Sequence, residues 1–285
     1  MGQDTAFTQN LTLNLRGRLF SLHEPKVMGV LNITPDSFYQ GSRVADEQAL
    51  LQKAGQIIKE GAAILDVGGY SSRPGADDIA EEEELSRVIP AINILLKTFP
   101  DLIVSVDTFR SKVAEEAISH GALIVNDISG GQLDKNMFSV VAKHKTPYIL
   151  MHMRGTPQNM KDLTNYNNLV PDIALYFSEK ITELKSLGLS DIIIDPGFGF
   201  AKTVEQNFCL LKQLDYFRSL GFPVLAGLSR KSLIWKTLNI TAAEALNGTT
   251  ALHMLALMKG ANLLRVHDVK EAAETVKLYL QVLRV

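Results

Sequence analysis

Residues able to do chemistry recur in this sequence at one kind of position, the end of a short apolar run. Asn32 and Thr34-Pro35-Asp36-Ser37 end the first run, Asp66 and Gly68-Gly69 the second, and Asp107 the third. Asn126 and Asp127 end the fourth, His152 the fifth, Asp195 the sixth, Ser229-Arg230-Lys231 the seventh, and Arg265 with His267 the eighth. Arg265 and His267 are two residues apart, so on a strand they share a face, and both can donate to an anion. A lone Asp or Asn at a strand end is also a common turn former or helix cap, and for Asp66 and Asp127 both readings stand.

Several other chemistries lack their residues. Neither Gly-rich stretch, Gly68–Gly75 or 195–200, has the spacing of a Walker A loop or a dinucleotide fingerprint. No Gly-x-Ser-x-Gly elbow marks an acyl-transfer serine. The six histidines form no spaced pair with a third ligand and the one cysteine, Cys209, cannot build a thiolate site, so a structural zinc is not expected. An amide oxygen such as that of Asn32, beside a phosphate, suits magnesium, which takes few protein ligands and keeps most of its waters.

The elements that must position these residues are legible as a rhythm. Apolar, β-branched runs at 27–33, 63–67, 102–106, 123–128, 148–151, 192–194, 224–228 and 263–266 give eight candidate strands. Helical spacing fills the intervals, as with Leu50, Ala54, Ile57 and Ile58, then Leu85, Ile89, Ile92 and Leu96. Near-continuous apolar strands alternating with helices indicate a parallel sheet covered on both faces. Eight such units predict an α/β fold, a single closed (β/α)8 TIM barrel, whose strand C-termini form the active mouth. Residues 1–24 form a separate N-terminal segment in which Leu11, Leu13 and Leu15 alternate before a turn at Arg16-Gly17-Arg18, predicting a β-hairpin that caps the barrel formed by 25–285. Loops 34–44 and 70–76 are long and carry small residues with an arginine, as lids over a substrate would. The glutamates 81–84 suit a helix N-terminus.

Composition sets the outer bounds. The chain has 285 residues, 46% hydrophobic and 21% charged, which excludes disordered and fibrous classes but leaves one or two domains open by length alone. A net charge of −2 lacks the basic excess of a nucleic-acid footprint. One cysteine, no secretory leader pattern and no long apolar stretch together predict a soluble cytoplasmic protein away from membranes.

Seven stretches together resemble one family: 28–38, Ser105-Val106-Asp107-Thr108, Val125-Asn126-Asp127-Ile128, Met151-His152-Met153, 195–200, Ser229-Arg230-Lys231-Ser232 and Arg265-Val266-His267-Asp268-Val269. In this order, and over nearly the whole chain, they resemble dihydropteroate synthase. The resemblance implies condensation of 6-hydroxymethyl-7,8-dihydropterin diphosphate with 4-aminobenzoate, giving dihydropteroate and diphosphate in folate biosynthesis. It implies that Asp195, Asn126 and Lys231 hold the pterin, with Asp107 deeper, and that Arg265 and His267 hold the diphosphate. Asp107, Asp195, Lys231 and Arg265 would then be the catalytic residues, and Asn32 the ligand of Mg2+. Ser72, Arg73 and Pro74, with Phe200 and Ser232, would shape the aminobenzoate site, a sulfonamide target in this family. Tyr70, where many members have glutamate, and Ala201, in place of a common glycine, depart from the pattern. A homodimer through late barrel helices is expected on the same ground, although Leu252, Leu255, Leu257 and Met258 would equally be core in a monomer. A corrinoid-dependent methyltransferase is a poorer fit, because its reaction has no diphosphate for Arg73, Lys231, Arg265 and His267 to meet.

Overall fold

Each apolar run becomes a strand because it can be covered on both sides, by barrel contents within and by helices outside. The computed structural model describes residues 10–33, 43–70 and 79–284. It opens on an antiparallel hairpin, β1 (Thr12–Leu15) and β2 (Arg18–Ser21), with Leu15 opposite Arg18 across the turn. Eight parallel strands follow: β3 (Lys26–Asn32), β4 (Ile64–Gly68), β5 (Val104–Asp107), β6 (Ile124–Asp127), β7 (Tyr148–Met151), β8 (Ile192–Asp195), β9 (Leu225–Ala226) and β10 (Leu263–Val266). Their order is β8-β7-β6-β5-β4-β3-β10-β9, and a parallel bridge from Ile194 to Val224 joins the two ends into a closed barrel.

Helices α1 (Arg43–Lys59), α2 (Glu81–Thr98), α3 (Ser111–Ser119), α4 (Met137–His144), α5 (Leu169–Ser186), α6 (Val204–Lys212), α7 (Ser232–Leu238), α8 (Leu246–Met258) and α9 (Val269–Leu283) cover the outside. Outward strand residues such as Val67, Val106, Leu150 and Ile194 share one buried cluster with helix residues such as Leu50, Ile92, Phe177 and Leu257. In α1 the buried face holds Leu50, Ala54 and Ile57, as their spacing requires. In α2 the fully buried stripe is Glu84, Val88, Ala91, Ile92 and Leu95, while Leu85, Ile89 and Leu96 are half-buried. The stripe is rotated by about one position from the expected one, because a face between the barrel and neighbouring helices is broad. Leu252 is half-buried and Leu257 buried, but Leu255 and Met258 lie 52% and 59% exposed, so these two are not core.

The hairpin sits at the N-terminal end of the barrel. Leu13, Leu15 and Leu22 pack in one cluster with Met28, Ile64, Ile103, Ile124, Ile149, Ile193, Leu225 and Leu263, one apolar side chain from each strand or the residue just before it. Backbone groups tie it down as well. Asn10 N–H donates to Gly221 O at 3.0 Å, Asn14 N–H to Asp191 Oδ1 at 3.1 Å, and Asn262 Nδ2 to Leu22 O at 3.3 Å. This end is therefore closed by apolar packing, and the opposite end is where the strands present polar side chains.

Candidate active site

Strand alternation carries the inward face from the apolar layer to a polar one. Two residues beyond Ile64, Ile124, Ile193 and Leu263 come Asp66, Asn126, Asp195 and Arg265, and two beyond Ile103 comes Ser105. Arg265 Nε donates to Asp66 Oδ2 at 2.6 Å, its Nη2 to Asp107 Oδ2 at 2.5 Å, and Asn126 Nδ2 to the same Asp66 oxygen at 2.9 Å. Asp66 is fully buried and holds both an arginine and an amide, so its carboxylate is neither a turn former nor a helix cap. Asp127 faces the other way. Its carboxylate accepts from Tyr148 Oη at 2.6 Å, Ser129 N–H at 2.7 Å and Gly131 N–H at 2.8 Å, so it caps the loop after β6.

Asp195 and Lys231 form the second half of the mouth. Asp195 Oδ1 accepts from Gly197 N–H at 2.8 Å. Lys231 Nζ donates to Phe198 O and lies 4.9 Å from the Phe200 ring centre. A side-chain carbon on Gly227 would stand 3.5 Å from Lys231 Nζ and 4.0 Å from Asp195 Oδ2, so the missing side chain leaves the lysine room to cross to the carboxylate. Similarly, a carbon on Gly68 would stand 3.6 Å from Asp107 Oδ2 and 3.7 Å from Asn32 Oδ1, so both oxygens flank the space beside this glycine.

Burial shapes the charges. It pushes the Asp107 carboxyl above the usual range even though Arg265 opposes the shift, and Asp66 adds to it. Burial also raises Asp195, against Lys231. Lys231 is lowered to about 8, because burial outweighs the pull of Asp195 and Arg265 adds repulsion. Arg265 is desolvated too, but Asp66 and Asp107 hold its guanidinium in the charged form. The mouth thus presents carboxylates, an amide, an ammonium and a guanidinium anchored by two acids.

The remaining predicted residues lie around this centre. His267 is exposed at the rim, with its backbone N–H 3.2 Å and its ring Nδ1 3.1 Å from Ser229 Oγ. Ser232 is the first residue of α7, and Phe200 is half-buried beside Lys231. Ser72, Arg73 and Pro74, and most of both expected lids, lie outside the described residues. Tyr70 is buried, stacks edge-on against Phe109 at 5.0 Å and receives Gln158 Nε2 at 3.3 Å. It is therefore a packed wall of the mouth, where a glutamate would bring another charge. Arg230 belongs to the frame, since its guanidinium binds Asp268 at 2.7–3.2 Å and the carbonyls of Ala242 and Ala243.

Sequence reasoning did not assign the apolar wall formed by Ile128, Met151, Met153, Met160 and Ala201, with Phe109 and Phe200 packed against it. Its signal is the same alternation: Ile128 lies two beyond Asn126, and Met151 and Met153 continue from Ile149. Asn32 Oδ1 accepts no hydrogen bond among the described residues, and no three carboxylate, thiol or imidazole groups among them converge on a metal. A single hard oxygen beside an anion site fits a cation that keeps its waters.

Residues 28–267 match the sequence pattern of the family described as Pterin binding enzyme. The chain belongs to the pterin-binding enzyme family. A dihydropteroate synthase from Synechocystis sp. is 44% identical over 255 residues, covering 88% of each chain. The structure of Xanthomonas albilineans dihydropteroate synthase with 4-aminobenzoic acid matches with a TM-score of 0.89 and 37% identity, over 98% of this chain and 100% of that one. A second structure of that enzyme, in complex with 7,8-dihydropteroate, matches with a TM-score of 0.85 at 35% identity, over 96% and 99%.

Proposed function

We infer that the chain is a dihydropteroate synthase, a transferase of folate biosynthesis that joins 6-hydroxymethyl-7,8-dihydropterin diphosphate to 4-aminobenzoate. The observation that carries this reading is the gathering of Asp107, Asn126, Asp195, Lys231 and Arg265 in one mouth, in a chain of this family. A pterin ring presents N–H donors on one edge and acceptors on another. Asp195 and Asp107 can accept from it, Lys231 can donate, and Asn126 can do either once Asp66 has taken one of its N–H groups. The flat ring then lies against Met151, Met153 and Ile128, which exclude water from its faces.

An aromatic amine is a competent nucleophile, so the demanding step is heterolysis of the carbon–oxygen bond to diphosphate. The electron pair leaves with the diphosphate, and positive charge spreads into the pterin. Asp107 and Asp195 would stabilise that charge, and Arg265 with His267 would receive the anion, which favours an SN1-like path. The amine nitrogen then bonds to the exocyclic carbon and loses its proton. Arg265 spends two donors on Asp66 and Asp107, which fixes the guanidinium plane before the anion arrives. Asn32 would hold Mg2+, which when bound neutralises charge on the leaving group. Ser72, Arg73, Pro74, Phe200 and Ser232 would seat the aminobenzoate. The free, exposed Cys209 supports a reducing, cytoplasmic setting. No helix among the described residues is long and apolar enough to cross a membrane. The exposed Leu255 and Met258 on α8 support a homodimer through the late helices.

The direct test supplies both substrates with Mg2+ and measures dihydropteroate and diphosphate together. Equimolar formation of both is expected, and the absence of either product overturns the reading. A monomeric mass in solution would remove the dimer.

A further inference from the structure

Lys202 follows the loop that carries Asp195 and Phe200, and the reaction described above gives it no role. Its side chain turns back under that loop and is buried. Nζ lies 3.0 Å from Gly197 O, 3.0 Å from Phe200 O and 3.1 Å from His152 Nδ1. His152 is itself buried, and its backbone N–H donates to Asp195 O at 2.9 Å, so the imidazole is fixed to the end of β8.

The loop has few other means of holding its shape. Gly197, Gly199 and Ala201 all have positive φ, at 71°, 82° and 49°, a winding that forms no ladder with a neighbouring strand. Its carbonyls point inward and to the side instead of along a sheet. Two of them meet Lys202, that of Phe198 meets Lys231, and that of Ala201 accepts from Tyr166 Oη at 3.0 Å. The Gly199 N–H donates to Asn207 Oδ1 at 2.7 Å. Among the side chains named here, Lys202 alone ties Gly197 to Phe200, alongside the turn that the Phe200 N–H closes on Gly197 O at 3.1 Å.

We propose that Lys202 is a positioning residue: it acts through Gly197 O and Phe200 O, with His152 as its fixed third contact, to set the Phe200 wall of the aminobenzoate site. This rests on the functional reading above. Asp195 depends on it less, because the Gly197 N–H that holds Asp195 Oδ1 is two residues away along the chain and closes a local turn. Phe200 depends on it more, because Lys202 Nζ holds the Phe200 carbonyl directly, beyond the turn that the Phe200 N–H closes on Gly197 O.

The arrangement tolerates either protonation state. Burial lowers Lys202 to about 7, with Asp195 opposing the shift and Lys231 and Arg154 reinforcing it, and burial keeps His152 neutral. An ammonium donates to all three acceptors. A neutral amine donates to the two carbonyls and accepts from His152 Nδ1–H, so the loop keeps its ties in both forms.

The test is Lys202→Met in the full chain, with Lys202→Gln as a second variant because its amide cannot reach all three partners. Hydrogen–deuterium exchange of residues 195–203 is expected to rise at least tenfold, with the other strand ends unchanged. The KM for 4-aminobenzoate is expected to rise at least tenfold while that for the pterin diphosphate moves less than threefold. Unchanged exchange in the loop of both variants overturns the proposal, whether or not the wild-type chain turns over. Turnover in the wild type with equal rises in both KM values also overturns it, whereas absence of wild-type turnover counts against the functional reading alone.

Discussion

The two ends of the barrel are built from the same strands and have opposite characters. At the N-terminal end every strand contributes an apolar side chain, from Met28 and Ile64 to Leu225 and Leu263, and the hairpin leucines complete the layer. One inward position further along, a distance of about 6.6 Å, the same strands present Asp66, Ser105, Asn126, Asp195 and Arg265. The first layer needs only volume and dryness. The second must satisfy buried charge, and it does so only in part: Asp66 Oδ1 and Ser105 Oγ are buried without a hydrogen-bond partner among the described residues. Stability is concentrated below and electrostatic work above, so substitutions in the two layers should separate.

The sharpest separation is expected between Asp195→Asn and Ile149→Ala. Asp195→Asn keeps the volume but removes the charge that faces Lys231 and the pterin, and kcat/KM for the pterin diphosphate should drop by about 100-fold or more, the worth of a charge-assisted contact of ~3 kcal/mol. Its thermal midpoint should stay within a few degrees; steady-state kinetics beside a melting curve checks both. Ile149→Ala in the lower layer should cost about 2–5 kcal/mol in chemical denaturation. Its folded fraction should keep the parent kcat/KM, and a large kinetic loss there would show that the layers are coupled.

A pH profile should show the upper layer alone. The raised Asp107 carboxyl must ionise to stabilise the pterin cation, so kcat/KM should rise with pH through a limb above the ordinary carboxylate range. Lys231 must stay protonated, so kcat/KM should decline as pH rises through about 8. Lys231→Gln should lose the alkaline limb while losing activity, and an unshifted limb would assign it elsewhere. The smallest effect belongs to the border between the layers and the loops. Ala201 has φ of 49°, a conformation that favours glycine, and Ala201→Gly should stabilise by about 0.5–1 kcal/mol in chemical denaturation.

The fold is largely legible in the sequence, for reasons that particular residues show. Runs such as 148–151 and 192–194 are apolar throughout because both faces are buried, and Tyr148–Met151 and Ile192–Asp195 form where expected. The seventh strand is shorter than its run at 224–228, since only Leu225–Ala226 stay in register before the chain leaves the sheet for Arg230 at φ of 53°. The polar residues of the site were legible as a set because strand ends meet in a barrel. Their partners were not, because Asp66 with Arg265 spans 199 positions in the chain and Lys202 with His152 spans 50.

By itself, the order of residues determined which side chains could reach the mouth, since alternation along a strand is a local property. It also determined the family, which depends on spacing and identity, and singled out Arg265 and His267 as candidates to meet an anion. Only the tertiary structure decided that Asp66 serves the site while Asp127 caps a loop. Both are buried acids at strand ends, and parity along each strand, measured against the closed barrel, sends one inward and the other out. Closure also brought Arg265 between two carboxylates, because only when the sheet meets itself do strands far apart in sequence share one interior.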